Sequence, residues 1–168
     1  MKIVWQVIAF AVIGAAPALA QDLLFDDAAT RACVAQAEGS ARMDCVGRSA
    51  EACMTDNVGG DSTIGMGGCL SLEWEMWDAG LNAAYADLLT LYTANDAQAA
   101  VDSPNAPKQV PALRDMQRAW IGYRDARCAF EVAKWGGGTG QGPASAQCRM
   151  LVTAEQTFVL RDGLAGLQ

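Results

Sequence analysis

The strongest constraint on how this chain folds lies between Cys69 and Thr93. There Leu70, Trp74, Trp77, Leu81, Tyr85, Leu88 and Tyr92 follow one another at steps of 4, 3, 4, 4, 3 and 4. That spacing returns a side chain to one face of an α-helix at every turn, and it does not fit the two-residue alternation of a half-buried strand. A helix with such a stripe must bury it against another element. Downstream, Leu113, Met116, Trp120, Tyr123 and Phe130 form a second stripe, with the polar Arg127 filling its next step. Leu151, Phe158, Leu160 and Leu164 mark a third amphipathic stretch over about 148–167. Pro104, Pro107 and Pro111 set a linker between the first two, and Gly136 to Gly138 end the second and open a loop to about Ala146. Upstream, 26–39 and 42–54 read as short Ala-rich helices broken at Gly39-Ser40, and 55–68 as a glycine-rich loop. The predicted fold is all-α, a small disulfide-stapled bundle. Its base is a long antiparallel helix pair (about 69–93 and 111–134), joined by a C-terminal helix and the short N-terminal helices.

The first twenty of the 168 residues have the layout of a cleaved signal peptide. Lys2 precedes the apolar run Ile3 to Ile13, and Ala18-Leu19-Ala20 supplies a small-residue cleavage site before Gln21. The run is too short for a permanent membrane anchor, and no later stretch is apolar enough to span a bilayer. The expected product is periplasmic or secreted, with no membrane insertion after cleavage. All six cysteines (Cys33, Cys45, Cys53, Cys69, Cys128 and Cys148) follow the leader, and an even count in an oxidising compartment reads as disulfides. Sequence-local pairing gives Cys33–Cys45, Cys53–Cys69 and Cys128–Cys148. A rival joins Cys69 to Cys128 across the helical hairpin. With no CxxC pair and no histidine, neither a zinc site nor a thioredoxin-like redox site is expected.

Charge narrows the function classes. Without Lys2 the chain carries eleven basic and nineteen acidic residues, a net charge of −8. Residues 21–107 alone carry −11, from three basic and fourteen acidic residues. So acidic a molecule is a poor ligand for nucleic acid or an anionic membrane, and a basic protein suits it better. The lack of histidine removes the usual general base and every Ser-His or Cys-His dyad. The two long helices are themselves complementary, with four acidic and no basic residues in 69–93 against a net +3 in 108–134. Exposed pairs contribute only about 0–1 kcal/mol each, so this sets register more than stability.

Beside the apolar stripe of the second long helix runs a line of Gln117, Ile121, Arg124, Cys128 and Glu131. Asp78 and Asn82, one turn apart on the first, are natural partners for the fork of donors on Arg124. Such a group reads either as a network fixing helix register or as a polar recognition face. These residues also carry a resemblance. The segment Asp78-Ala-Gly-Leu81-Asn82-Ala-Ala-Tyr85 is followed by Leu113-Arg114-Asp-Met-Gln117-Arg118-Ala119-Trp120-Ile121-Gly-Tyr123-Arg124-Asp125-Ala126-Arg-Cys128. Together they resemble the LprI-type lysozyme-inhibitor family, whose shared module is the LprI N-terminal domain, formerly a domain of unknown function. The resemblance covers about 53–164. It divides the chain into a signal peptide (1–20), an N-terminal helical extension (21–52) and an LprI N-terminal-like helical domain (53–168). Where the family often has Arg three residues after Thr153, this chain has Gln156.

The resemblance and the acidic charge together imply a non-catalytic binding protein that meets basic lysozyme and blocks its cleft. Glu73 and Glu75, expected to be exposed, or the loop 55–68, could supply the blocking group, with Asp78, Asn82 and Arg124 as further contact residues. The alternative is a structural or assembly module of the cell envelope with no lysozyme contact. A third reading makes the chain a glycosidase using Glu73 and Glu131 as paired carboxylates, with tryptophans stacking on sugar. No cofactor is expected.

Overall fold

The computed structural model describes residues 22–166, so the expected signal segment lies outside the described residues. Five α-helices follow in order: α1 (Ala28–Val34), α2 (Arg48–Asp56), α3 (Thr63–Asp102), α4 (Gln109–Ala133) and α5 (Gln141–Ala165). A 3-10 turn, Gly39–Cys45, stands between α1 and α2, and there is no strand among the described residues. The architecture is all-α.

Several boundaries differ from the sequence expectation, each for a local reason. The stretch 42–54 is not one helix, because Gly47 takes φ 102° and separates the 3-10 turn from α2. Only glycine adopts that backbone at little cost. The expected loop 55–68 is helical from Thr63 onward. Ser62 caps α3, its Oγ accepting from the Gly65 amide at 3.0 Å. Gly65 is there for closeness rather than flexibility, since a Cβ on it would fall 2.1 Å from the Gly59 carbonyl oxygen. Likewise α5 starts at Gln141 rather than near 148, with Pro143 in its first turn, where a missing N–H breaks no helical hydrogen bond.

The main partner of α3 is α5, which packs on it far more extensively than α4 does. Trp77 meets Phe158 edge to face, with ring centroids 5.1 Å apart. Leu70 shares a core cluster with Ala146 and Met150, and farther along Leu88 shares one with Leu160. The two helices therefore run parallel. Antiparallel to α5, α4 crosses its outer side, with Gln117 bonded to Gln156 near its middle and Cys128 joined to Cys148 near its end. The remaining disulfides are Cys33–Cys45 and Cys53–Cys69, so Cys69 bonds to Cys53 and not to Cys128.

Because α5 takes the main face of α3, α4 sits at the edge of the bundle and its apolar stripe is not a core stripe. Leu113 is buried and Trp120 half-buried, but Met116, Tyr123 and Phe130 are exposed, Phe130 by 64%. The inward-facing line is the more polar one, with Gln117 and Cys128 buried and Arg124 half-buried.

Candidate partner-binding cleft

The thin contact between α3 and α4 leaves an open cleft of about 400 Å³. Asp78, Leu81, Asn82 and Tyr85 line it from α3, at helical steps that place them on one face. The other wall comes from α4 and includes Arg114, Gln117, Arg118, Trp120 and Arg124. Leu81 is buried and Trp120 half-buried, giving an apolar floor under polar walls.

Each polar wall is held by its own neighbours. Asn82 Nδ2 donates to Asp78 Oδ2 at 2.9 Å, one turn back on α3. Across the cleft, Arg124 donates through Nε to Asp125 Oδ1 at 2.9 Å, and its guanidinium lies 5.1 Å from the centre of the Trp120 ring. Arg118 pairs with Asp115. Gln117 Oε1 accepts from Gln156 Nε2 at 3.0 Å, a buried amide bridge that ties α4 to α5.

The structure brings Asp78, Asn82 and Arg124 to one cleft but does not pair them. The expected hydrogen bonds from Arg124 to Asp78 and Asn82 are absent because the helices stand apart here and Asp125 satisfies the guanidinium locally. Unbonded across the gap, an acid and amide wall faces a guanidinium wall. That arrangement offers acceptors and donors to a segment entering between them. Glu75 is exposed one turn before Asp78 on the same helical face.

Glu73 requires a correction. Expected as an exposed acid, it is fully buried, with 0% exposure. Oε1 accepts from the Gly47 amide at 2.7 Å, from Thr30 Oγ1 at 3.0 Å and from Trp77 Nε1 at 3.2 Å, while Oε2 accepts from the Ala50 amide at 2.7 Å. Two of those donors are free amides at the start of α2, so Glu73 caps that helix from a distance. Thr30 and Ser49 complete the knot by exchanging amide-to-hydroxyl bonds at 3.0 and 2.9 Å. Glu73 therefore holds residues before 53 onto α3 and has no oxygen left for a partner. The pairing of Glu73 with Glu131 as glycosidase acids falls with it. Glu131 is half-buried and bridged to Lys134. Among the described residues no group of three His, Cys, Asp or Glu could hold a metal ion, and no helix is long and apolar enough to cross a membrane.

The proposed blocking loop is also smaller than expected. Asn57 anchors its start, exchanging 2.9 Å bonds with both the amide and the carbonyl of Leu24, and only the turn up to Ser62 precedes α3. Val58 there is 97% exposed.

Among known proteins, an uncharacterized 17.7 kDa protein encoded in the puhA 5′ region of Rhodobacter capsulatus is 28% identical over 145 residues, 82% of this chain and 85% of that one. An uncharacterized protein of Rhizobium meliloti is 28% identical over 94 residues, 56% of this chain and 68% of that one. No solved structure matches the chain significantly. The profile of the family described as lysozyme inhibitor LprI matches residues 53–160, which include both walls of the cleft and two of the three disulfides. The chain belongs to the LprI lysozyme-inhibitor family.

Proposed function

We propose that the protein is an extracytoplasmic binding protein that inhibits lysozyme, using the α3–α4 cleft and its acidic α3 rim as the contact. The observation that carries this reading is the convergence of the polar motif residues of α3 and α4 on one open cleft in an acidic molecule. Basic lysozyme is drawn toward the net negative surface over several ångströms, which raises the association rate more than the final affinity. In the complex, Glu75 and Asp78 accept from basic side chains of lysozyme, and the guanidinium wall of α4 meets carboxylates in the lysozyme cleft. Three disulfides among the described residues suit an oxidising compartment. The chain performs no catalysis in this reading.

The test is a lytic assay with the oxidised protein titrated into basic c-type lysozyme at two salt concentrations. Inhibition is expected to be dose-dependent and weaker at high salt. Glu75→Lys and Asp78→Lys together should raise the inhibitory concentration about tenfold or more, the scale of losing close charge pairs at an interface. Asp87→Lys, on the opposite side of α3 by helical spacing, serves as the control and should change it little. Absence of inhibition at large excess, against c-, g- and i-type lysozymes alike, refutes the proposal and leaves the envelope-assembly role.

A further inference from the structure

A second cleft, of about 530 Å³, opens on the side of the bundle away from the motif residues, between α1, α3 and the end of α5. Its volume lies within the roughly 300–1,000 Å³ common for small-molecule sites. Met76, Trp77 and Ala83 of α3 and Val34 of α1 give it apolar walls, and Arg31 and Arg161 stand at its edge. The Arg161 guanidinium extends along α3, 6.0 Å from the centre of the Trp77 ring, and a Cβ on Gly80 would come 2.8 Å from its Nη2. Gly80 thus leaves room for the cation to lie against the helix.

The charges around this cleft do not balance. Arg31 is bridged to Asp27 at 2.6 Å, and Arg42 makes a two-pronged pair with Asp162 at 2.8 and 2.6 Å. Arg161 makes no ion pair among the described residues. Burial first, then the fields of Arg31 and Arg42, pulls its pKa below the usual guanidinium value. A single uncompensated cation at the edge of an apolar cleft, in a chain with an excess of acid, is the complement of one negative charge on an apolar body.

We propose that this cleft binds a monoanionic amphiphile, an apolar chain ending in a carboxylate, with the headgroup on Arg161 beside Arg31 and the chain against Met76, Trp77 and Ala83. The binding is independent of the lysozyme contact, which lies on other residues.

The experiment titrates the purified oxidised protein by calorimetry with monomeric laurate, with dodecanol, and with vesicles of an anionic phospholipid. Laurate is expected to bind with a stoichiometry of one and more tightly than dodecanol. Arg161→Gln should weaken laurate about tenfold, the scale of one charge-assisted hydrogen bond, and should leave dodecanol unchanged. Ala83→Leu, which fills the cleft, should weaken both. Both substitutions are at positions at least partly open to solvent, and unchanged far-ultraviolet circular dichroism and thermal midpoint verify that the variants fold. No laurate binding, binding to vesicles alone, equal affinity for dodecanol, or laurate affinity untouched by both substitutions would each overturn the proposal.

Discussion

Replacing Glu73 with Leu tests the central packing argument of this fold. The substitution keeps side-chain size and apolar contact but removes every acceptor from the knot around α2. Two backbone amides, Gly47 and Ala50, lose bonds of 2.7 Å and have no water to turn to. A buried donor left unsatisfied costs about 1–3 kcal/mol, so the pair costs about 2–6 kcal/mol. Thr30 Oγ1 and Trp77 Nε1 add to that loss. Against a domain stability of about 5–15 kcal/mol the effect is severe, equivalent to a fall in midpoint of about 5–20 °C for a chain of this size. The assay is urea unfolding of the oxidised protein, paired with amide hydrogen exchange at Gly47 and Ala50. Both amides should exchange much faster in the variant, because the start of α2 and the residues before it loosen from α3 while Cys53–Cys69 still holds the far part of α2. Glu75→Leu is the internal control, two positions away but exposed, and should change stability by no more than about 0.5 kcal/mol. A Glu73→Leu protein as stable as the Glu75→Leu protein, or one with unchanged protection at Gly47, would show the reasoning to be wrong.

Three further outcomes are expected. Asp96 accepts from the Gln109 and Val110 amides at the start of α4, and Asp162 from Arg42; hydrogen bonding to these donors holds both carboxyl groups below the ordinary carboxylate range. A depressed folded-state pKa gives stability that is present above the unfolded value near ~3.9 and is lost as pH falls through the lower folded value. Urea midpoints should therefore drop below about pH 4, and the drop should be shallower in the double variant Asp96→Asn, Asp162→Asn. Replacing Cys128 and Cys148 by Ala opens a loop closed over 20 positions, and loop entropy puts the loss at about 3 kcal/mol, read from the urea midpoint. Ser62→Ala removes the cap of α3 and should cost about 1 kcal/mol, measured the same way.

The sequence reveals what repeats and hides what is decided between elements. The stripe from Leu70 to Tyr92 identifies α3 because periodicity is a property of one helix alone. Which helix covers that stripe is a tertiary choice, and α5 takes it, which leaves Tyr123 and Phe130 of α4 in solvent. The cleft was legible in part. Helical spacing puts Asp78, Asn82 and Tyr85 on one face, but the gap that keeps Arg124 from them depends on how far α4 stands off. Glu73 carried a signal that acidity obscured. It sits three residues after Leu70 and four before Trp77, within the apolar stripe itself. The donors that make its burial tolerable come from Thr30, Gly47 and Ala50, a contact no local pattern announces. The glycines at 65, 67 and 68 resemble loop residues in sequence, yet all three are helical, and at 65 and 68 a Cβ would fall within 2.4 Å of Gly59 or Leu23.

The parallel pairing of α3 with α5 also sets the order in which the molecule can assemble. Trp77 and Phe158 are separated by about 80 residues, and closing a flexible loop of that length costs about 4 kcal/mol plus a constant. As the chain is synthesised, amino terminus first, α3 appears with its largest apolar face uncovered and keeps it so until the last 25 helical residues arrive. The α4–α5 hairpin shortens the search. Joining Cys128 to Cys148 ties the end of α4 to the start of α5, which leaves a shorter loop to close before α5 meets α3. A chain cut short before α5 would leave Trp77 and Leu88 uncovered, open to chaperones and proteases.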